Sequence, residues 1–137
     1  MYNSIVSDLL KKYIEEIGQD LVVDDFNIKE VQMRLPARKH FWVARLMDAK
    51  VERNNLFTKK KKLKKELTKK VIADSPVKIT QSVAEQHAER HDAIQQITDK
   101  INEYNVVIEY LEKATDVLNQ MGWDIKNIIE IQKLEQL

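Results

Sequence analysis

Cysteine is absent from the 137-residue chain, which excludes disulfides, thiolate metal sites and cysteine nucleophiles and leaves the redox compartment open. Glycine and proline are scarce, two of each. A β-sandwich or barrel needs those residues in its many turns, so an all-α fold is expected. No apolar run approaches the roughly 18 residues of a membrane-spanning helix, and Met1-Tyr2-Asn3-Ser4 places no basic segment ahead of an apolar one. Neither export nor membrane insertion is expected. There is no glycine-rich phosphate loop and no nucleophile within a recognisable motif, so neither catalysis nor a cofactor is expected. His87 and His91 flank Glu89, yet Ala88 stands where a zinc-protease helix carries glutamate. A solvated helix start explains the two histidines better than a metal does.

What the chain has is apolar residues at helical spacing, within an apolar content of 43%. A first helix is expected from Ser4 to Ile17, capped by Asn3 or Ser4, striped by Ile5, Leu9, Tyr13 and Ile17, and stopped by Gly18. Leu21-Val22-Val23 looks extended, and Phe26, Ile28, Val31 and Met33 fit neither period. Pro36 suits the first turn of a second helix running to about Val71. Its stripe of Trp42, Leu46, Ala49, Leu56, Leu63 and Leu67 is interrupted by Arg53 and Lys60.

The segment Ala73-Asp74-Ser75-Pro76-Val77 breaks that helix, and Thr80 or Ser82 caps the next, which runs to Met121 with Gly122 as its stop. Ile94, Ile97, Ile101, Tyr104, Ile108, Leu111, Thr115 and Leu118 alternate spacings of three and four. At 1.5 Å per residue the two long helices would reach about 50 and 60 Å and pair as an antiparallel, coiled-coil-like hairpin. A second row, Val107, Tyr110, Ala114, Val117 and Met121, needs more cover than one partner helix provides. Beyond Gly122, Trp123, Ile125, Ile128, Ile129, Ile131, Leu134 and Leu137 point almost all round a last helix. With Val117 and Met121, the residues from Trp123 to Leu134 of this set are the expected interface of a homo-oligomer. Three regions follow: 1–35, an N-terminal helix and connector; 36–121, the hairpin with its basic first arm; and 122–137, an oligomerisation helix.

The net charge of +1 conceals a separation. Residues 34–70 hold fourteen Lys and Arg against three Asp and Glu, whereas residues 1–33 hold three against seven and residues 81–137 five against eleven. Lys59, Lys60, Lys61, Lys62, Lys64, Lys65, Lys69 and Lys70 crowd one stretch opposed only by Glu66. Such density weakens an isolated helix through like-charge i,i+4 repulsion. On a helical wheel Leu56, Leu63, Leu67 and Val71 share one side, and Lys61, Lys62, Lys65 and Lys69 the opposite one. The helix can therefore pack and still present cations to a phosphate backbone, with salt-sensitive affinity and little sequence preference. Arg38, Lys39 and Arg45 stand among His40, Phe41 and Trp42, a mixture that suits base stacking but is equally explained by burial of the rings. Pairing of the lysines with Glu85, Glu89, Asp92 and Asp99 of the acidic helix is the competing explanation of the run. Two other readings are an adaptor or chaperone that binds only proteins and a peripheral membrane protein, which Arg53 and Lys60 in the apolar stripe disfavour.

Over most of its length the chain resembles the recombination mediator proteins of T-even-type phages, the UvsY family. The likeness lies in Met121-Gly122-Trp123-Asp124-Ile125-Lys126-Asn127-Ile128-Ile129 with Leu134-Glu135, in Val23-Asp24 with Ile28, and in Pro36 followed by Lys39-His40-Phe41-Trp42. The resemblance implies a non-catalytic protein that assembles through its C-terminal region into a ring, a heptamer in the family's pattern. It also implies binding to single-stranded DNA and loading of a RecA-like recombinase onto DNA coated by single-strand-binding protein, in the cytoplasm of an infected bacterium. The family's contacting pair is a lysine and, two residues on, an arginine between leucines. Leu63-Lys64-Lys65-Glu66-Leu67 fits best, so the resemblance gives Lys64 the lysine's role, while Glu66 departs from the pattern and leaves Lys65 or Lys62 as substitutes for the arginine.

Overall fold

The computed structural model of the chain describes residues 4–136, with side-chain surroundings from Asp8 onward. Asn3, the side chains of Ser4 and Ile5, and Leu137 lie outside the described residues. Four helices make up the fold: α1 (Ser4–Asp20), α2 (Ile28–Asp74), α3 (Gln81–Glu89) and α4 (Asp92–Glu135). No strand occurs among the described residues.

Three of the expected breaks fall elsewhere. Gly18 does not stop α1, which continues to Asp20; the glycine adopts no positive φ, so it acts as an ordinary, if weak, helix former. Pro36 lies inside α2 rather than at its start. Two interlocking hydrogen-bond systems begin that helix earlier. Asp24 Oδ1 accepts from the backbone N–H groups of Phe26 and Asn27 at 2.8 and 2.9 Å, and Asn27 Oδ1 accepts from Asp24 N–H at 2.7 Å. This is reciprocal capping in Asx form, and it starts a helix whose first core residues are Ile28, Val31 and Leu35. Pro36 and Gln32, whose carbonyl loses its donor, are both on the exposed side, where water can serve that carbonyl.

Gly122 likewise lies within α4. The real interruption comes at Arg90 and His91, where His91 Nδ1 accepts from Ala93 N–H at 3.1 Å and so caps α4. Thr80 caps α3 as expected, accepting from Val83 N–H at 3.2 Å. At 47 and 44 residues, α2 and α4 are about 70 and 66 Å long.

Contacts run down α4 as they run up α2. Leu35 and Lys39 lie beside Gly122, Arg53 Nη1 donates to Asn105 Oδ1 at 3.0 Å, and Lys60 and Lys64 meet Glu89 at the end of the short α3. The main core lies at one end of this pair: Trp42, Leu46 and Ala49 of α2 meet Val107, Leu111, Leu118 and Ile125 of α4, and Tyr13 and Ile17 of α1 join them. Here α1 supplies extra cover, since it packs on α4 where Val107, Ala114 and Met121 are buried. Each fully buried Ile, Leu or Val contributes about 1.5–3 kcal/mol. Beyond Ala49, Ile94, Ile97 and Ile101 of α4 are buried together with the smaller Ala84, Ala88 and Thr68, and the Thr68 hydroxyl donates to Lys64 O at 2.7 Å.

Candidate nucleic-acid interface

The basic residues of α2 divide into a committed set and an uncommitted one. Arg38 belongs to the first: Nε lies 3.0 Å from both Asp20 carboxylate oxygens and Nη2 2.9 Å from one of them. Trp42, with no exposed surface, donates its Nε1–H to the same carboxylate at 2.7 Å. The rings of Tyr13 and Phe41 stand edge-on to Trp42 at 5.4 and 4.9 Å, a favoured aromatic geometry. The guanidinium groups of Arg38 and Arg45 lie 4.4 and 4.5 Å from the Phe41 centroid, and Arg45 also pairs with Asp48 at 2.9 Å. The basic and aromatic residues at 38–45 thus fasten α1 to α2. Lys39, one residue from Arg38, turns away from this cluster towards Gly122.

Lys60 and Lys64 are committed as well, both to Glu89, at 3.4 and 3.0 Å. The hydrogen bond from Lys64, together with the nearby Lys60 charge, holds the Glu89 carboxyl below its ordinary pKa of 4.5. Of the four acids available to neutralise the run, Glu89 alone forms ion pairs among the described residues. Lys59, Lys61, Lys62, Lys65, Lys69 and Lys70 are exposed and form no ion pair among the described residues. Lys61, Lys64, Lys65 and Lys69 with Thr68, Gln81 and Glu85 line a groove of about 430 Å³ between α2 and α3. Charge pairing therefore accounts for two lysines of the run, and the rest face solvent.

The residues expected at a subunit interface also divide. Met121 and Ile125 are buried in the chain's own core and Ile129 packs partly against it, so these three serve the fold of the single chain. Val117, Trp123, Ile128, Ile131 and Leu134 are exposed. Taking Val117 as 0° at 100° per residue, Ile128 and Ile131 fall at about +20° and −40°, whereas Trp123 falls at about −120°. Trp123 stands apart from that apolar row. Its neighbours are Lys126, whose Nζ lies 5.4 Å from the ring centroid, and Lys39, Asn119 and Gly122, which share a cleft of about 280 Å³ with it. The sequence reading gave neither Asn119 nor Lys126 a place in a site, although Lys126 sits one helical turn from Trp123.

Fold and surface together define an all-helical protein whose distinguishing feature is a long basic helix with an open lysine face. Over residues 16–136 the sequence matches the family described as recombination, repair and ssDNA binding protein UvsY, and the chain belongs to that family. Two crystal structures of the recombination mediator protein UvsY of bacteriophage T4 have the same fold. One superposes with a TM-score of 0.78 at 14% identity over 92% of this chain and 98% of the other. The second gives 0.77 at 15% identity over 93% and 98%. At such identity the likeness is one of fold. No curated protein matches the sequence. No helix among the described residues is long and apolar enough to cross a membrane.

Proposed function

We propose that this chain is a non-catalytic recombination mediator that binds the backbone of single-stranded DNA along the lysine face of α2. In this reading it also helps to load a RecA-like recombinase onto DNA coated by single-strand-binding protein, as the family resemblance implies. The observation that carries the reading is the set of exposed lysines at 59, 61, 62, 65, 69 and 70, which form no ion pair among the described residues, whereas Lys60 and Lys64 pair with Glu89. Glu89 withdraws Lys64 from the free set, so Lys65 and Lys62 carry the contact that the family assigns to the lysine and arginine pair.

In this reading α2 and α4 form an antiparallel hairpin that holds the lysines at a fixed distance from the aromatic core, and copies of the chain assemble into a ring through Val117, Ile128 and Ile131. Each subunit then contributes one lysine face, and weak contacts add through multivalency. The test is a salt series of single-strand binding with Lys61, Lys62, Lys65 and Lys69 all changed to Gln. Each lost phosphate contact should lower the logarithmic salt slope by about 0.7, nearly 3 in total. Unchanged affinity and slope would exclude the lysine face as the DNA site. Absence of any oligonucleotide binding by the wild type at low salt would favour the protein-binding adaptor instead.

A further inference from the structure

Trp123 is 63% exposed, and the Lys126 Nζ lies 5.4 Å from its ring centroid. Among the described residues its cleft is lined by Lys39, Asn119, Gly122 and Lys126, with no carboxylate. Gly122 keeps the floor open beside Lys39, whose Nζ would lie 3.4 Å from a Cβ placed there. A large π-face beside two ammonium groups and an amide suits a ligand that is flat, polar at its edge and anionic on both sides. A nucleotide within a strand is such a ligand: its base stacks on the ring, its edge meets the Asn119 amide, and its phosphates meet Lys39 and Lys126.

We infer that Trp123, with Lys39 and Lys126, forms a base-stacking subsite for single-stranded nucleic acid, separate from the lysine face. It rests on the reading of α2 as a DNA-binding helix. Lys39 and Lys61 are 22 residues apart, about 33 Å along α2, and within about 40° of one another around its axis. One strand laid along that flank reaches both. The apolar row Val117, Ile128 and Ile131 lies about 80–140° away around α4, so subunit contact and base stacking do not compete for the same side.

The experiment compares oligothymidylate with an abasic phosphodiester of equal length, using the assembled full chain, its Trp123→Ala and Trp123→Phe variants, and a variant with Lys61, Lys62, Lys65 and Lys69 changed to Gln. Trp42 has no exposed surface, so fluorescence quenching by oligothymidylate reports on Trp123. Trp123→Ala should weaken oligothymidylate binding roughly 5- to 100-fold, the range of one stacked base, with the salt slope unchanged. Binding of the abasic strand should be unaffected, and Trp123→Phe should retain most of the affinity for oligothymidylate. Wild-type oligothymidylate affinity in Trp123→Ala, equal weakening towards the abasic strand, or a changed sedimentation coefficient would each overturn the subsite. If the lysine variant loses binding while Trp123→Ala does not, the subsite fails and the lysine face stands. If the lysine variant binds as the wild type does, or the wild type binds neither strand, the reading of α2 fails and takes the subsite with it.

Discussion

Asp20 gathers the N-terminal helix onto the rest of the molecule with one carboxylate, accepting from the Arg38 guanidinium and from the indole N–H of Trp42. Its removal leaves a fully buried indole donor without a partner, and an unsatisfied buried polar group costs about 1–3 kcal/mol. Asp20→Ala should therefore lower unfolding stability by that amount in a urea titration, and a loss below about 0.5 kcal/mol would mean that water replaces the carboxylate. The two glycines are expected to behave in the opposite sense. Both lie in helices and neither has a positive φ; a Cβ on Gly18 would meet nothing within 4 Å, and one on Gly122 only the mobile tip of Lys39 and Leu35 Cδ2 at 3.6 Å. Gly18→Ala and Gly122→Ala should each raise stability by about 0.5–1 kcal/mol. Had either glycine been a left-handed helix stop, as its place in the sequence suggests, alanine would destabilise instead.

At the scale of the helices, the apolar stripes and the Thr80 cap were legible because periodicity and capping are local properties. Helix boundaries were less so. Pro36 and Gly122 read as punctuation, but Leu35 packs in the core beside them, and tertiary packing offsets the few kcal/mol that such residues cost a helix. The Asp24 and Asn27 pair was readable in principle, as two Asx residues three apart ahead of an apolar run. The lysine face was legible as charge, but its partition was not, because Glu89 reaches Lys60 and Lys64 only once α3 folds back on α2. Glu89→Gln should free both lysines for phosphate and raise the salt slope of single-strand binding by up to about 1.4. The same bridge sets a pH dependence. Because the folded-state pKa of Glu89 is depressed, mainly by the Lys64 hydrogen bond, its contribution is complete above the ordinary value of 4.5 and is lost as pH falls through the depressed value. The difference in melting temperature between wild type and Glu89→Gln should shrink on acidification below about pH 4.5; a constant difference would mean that the ion pair adds nothing to stability.

For the whole molecule, the open question is how a face of six lysines per chain could hold single-stranded DNA firmly. Isolated contacts of this kind are weak and screened by salt, so the proposed mechanism depends on several copies acting on one strand. Sequence patterning put the expected subunit interface at residues 117–134 but could not separate residues that complete the chain's own core from those left outside it. Met121 and Ile125 are of the first kind and Val117, Ile128 and Ile131 of the second. Changing Val117, Ile128 and Ile131 together to Ser should leave helicity and unfolding stability nearly intact, since these side chains are about 40–55% exposed. The same variant should dissociate in sedimentation velocity and lose about 100-fold or more in single-strand affinity. Polar changes at Met121 and Ile125 should instead cost about 2–5 kcal/mol each by disrupting the core. Continued assembly of the Val117, Ile128 and Ile131 variant would move the interface elsewhere. Dissociation without loss of affinity would show that one lysine face suffices for binding.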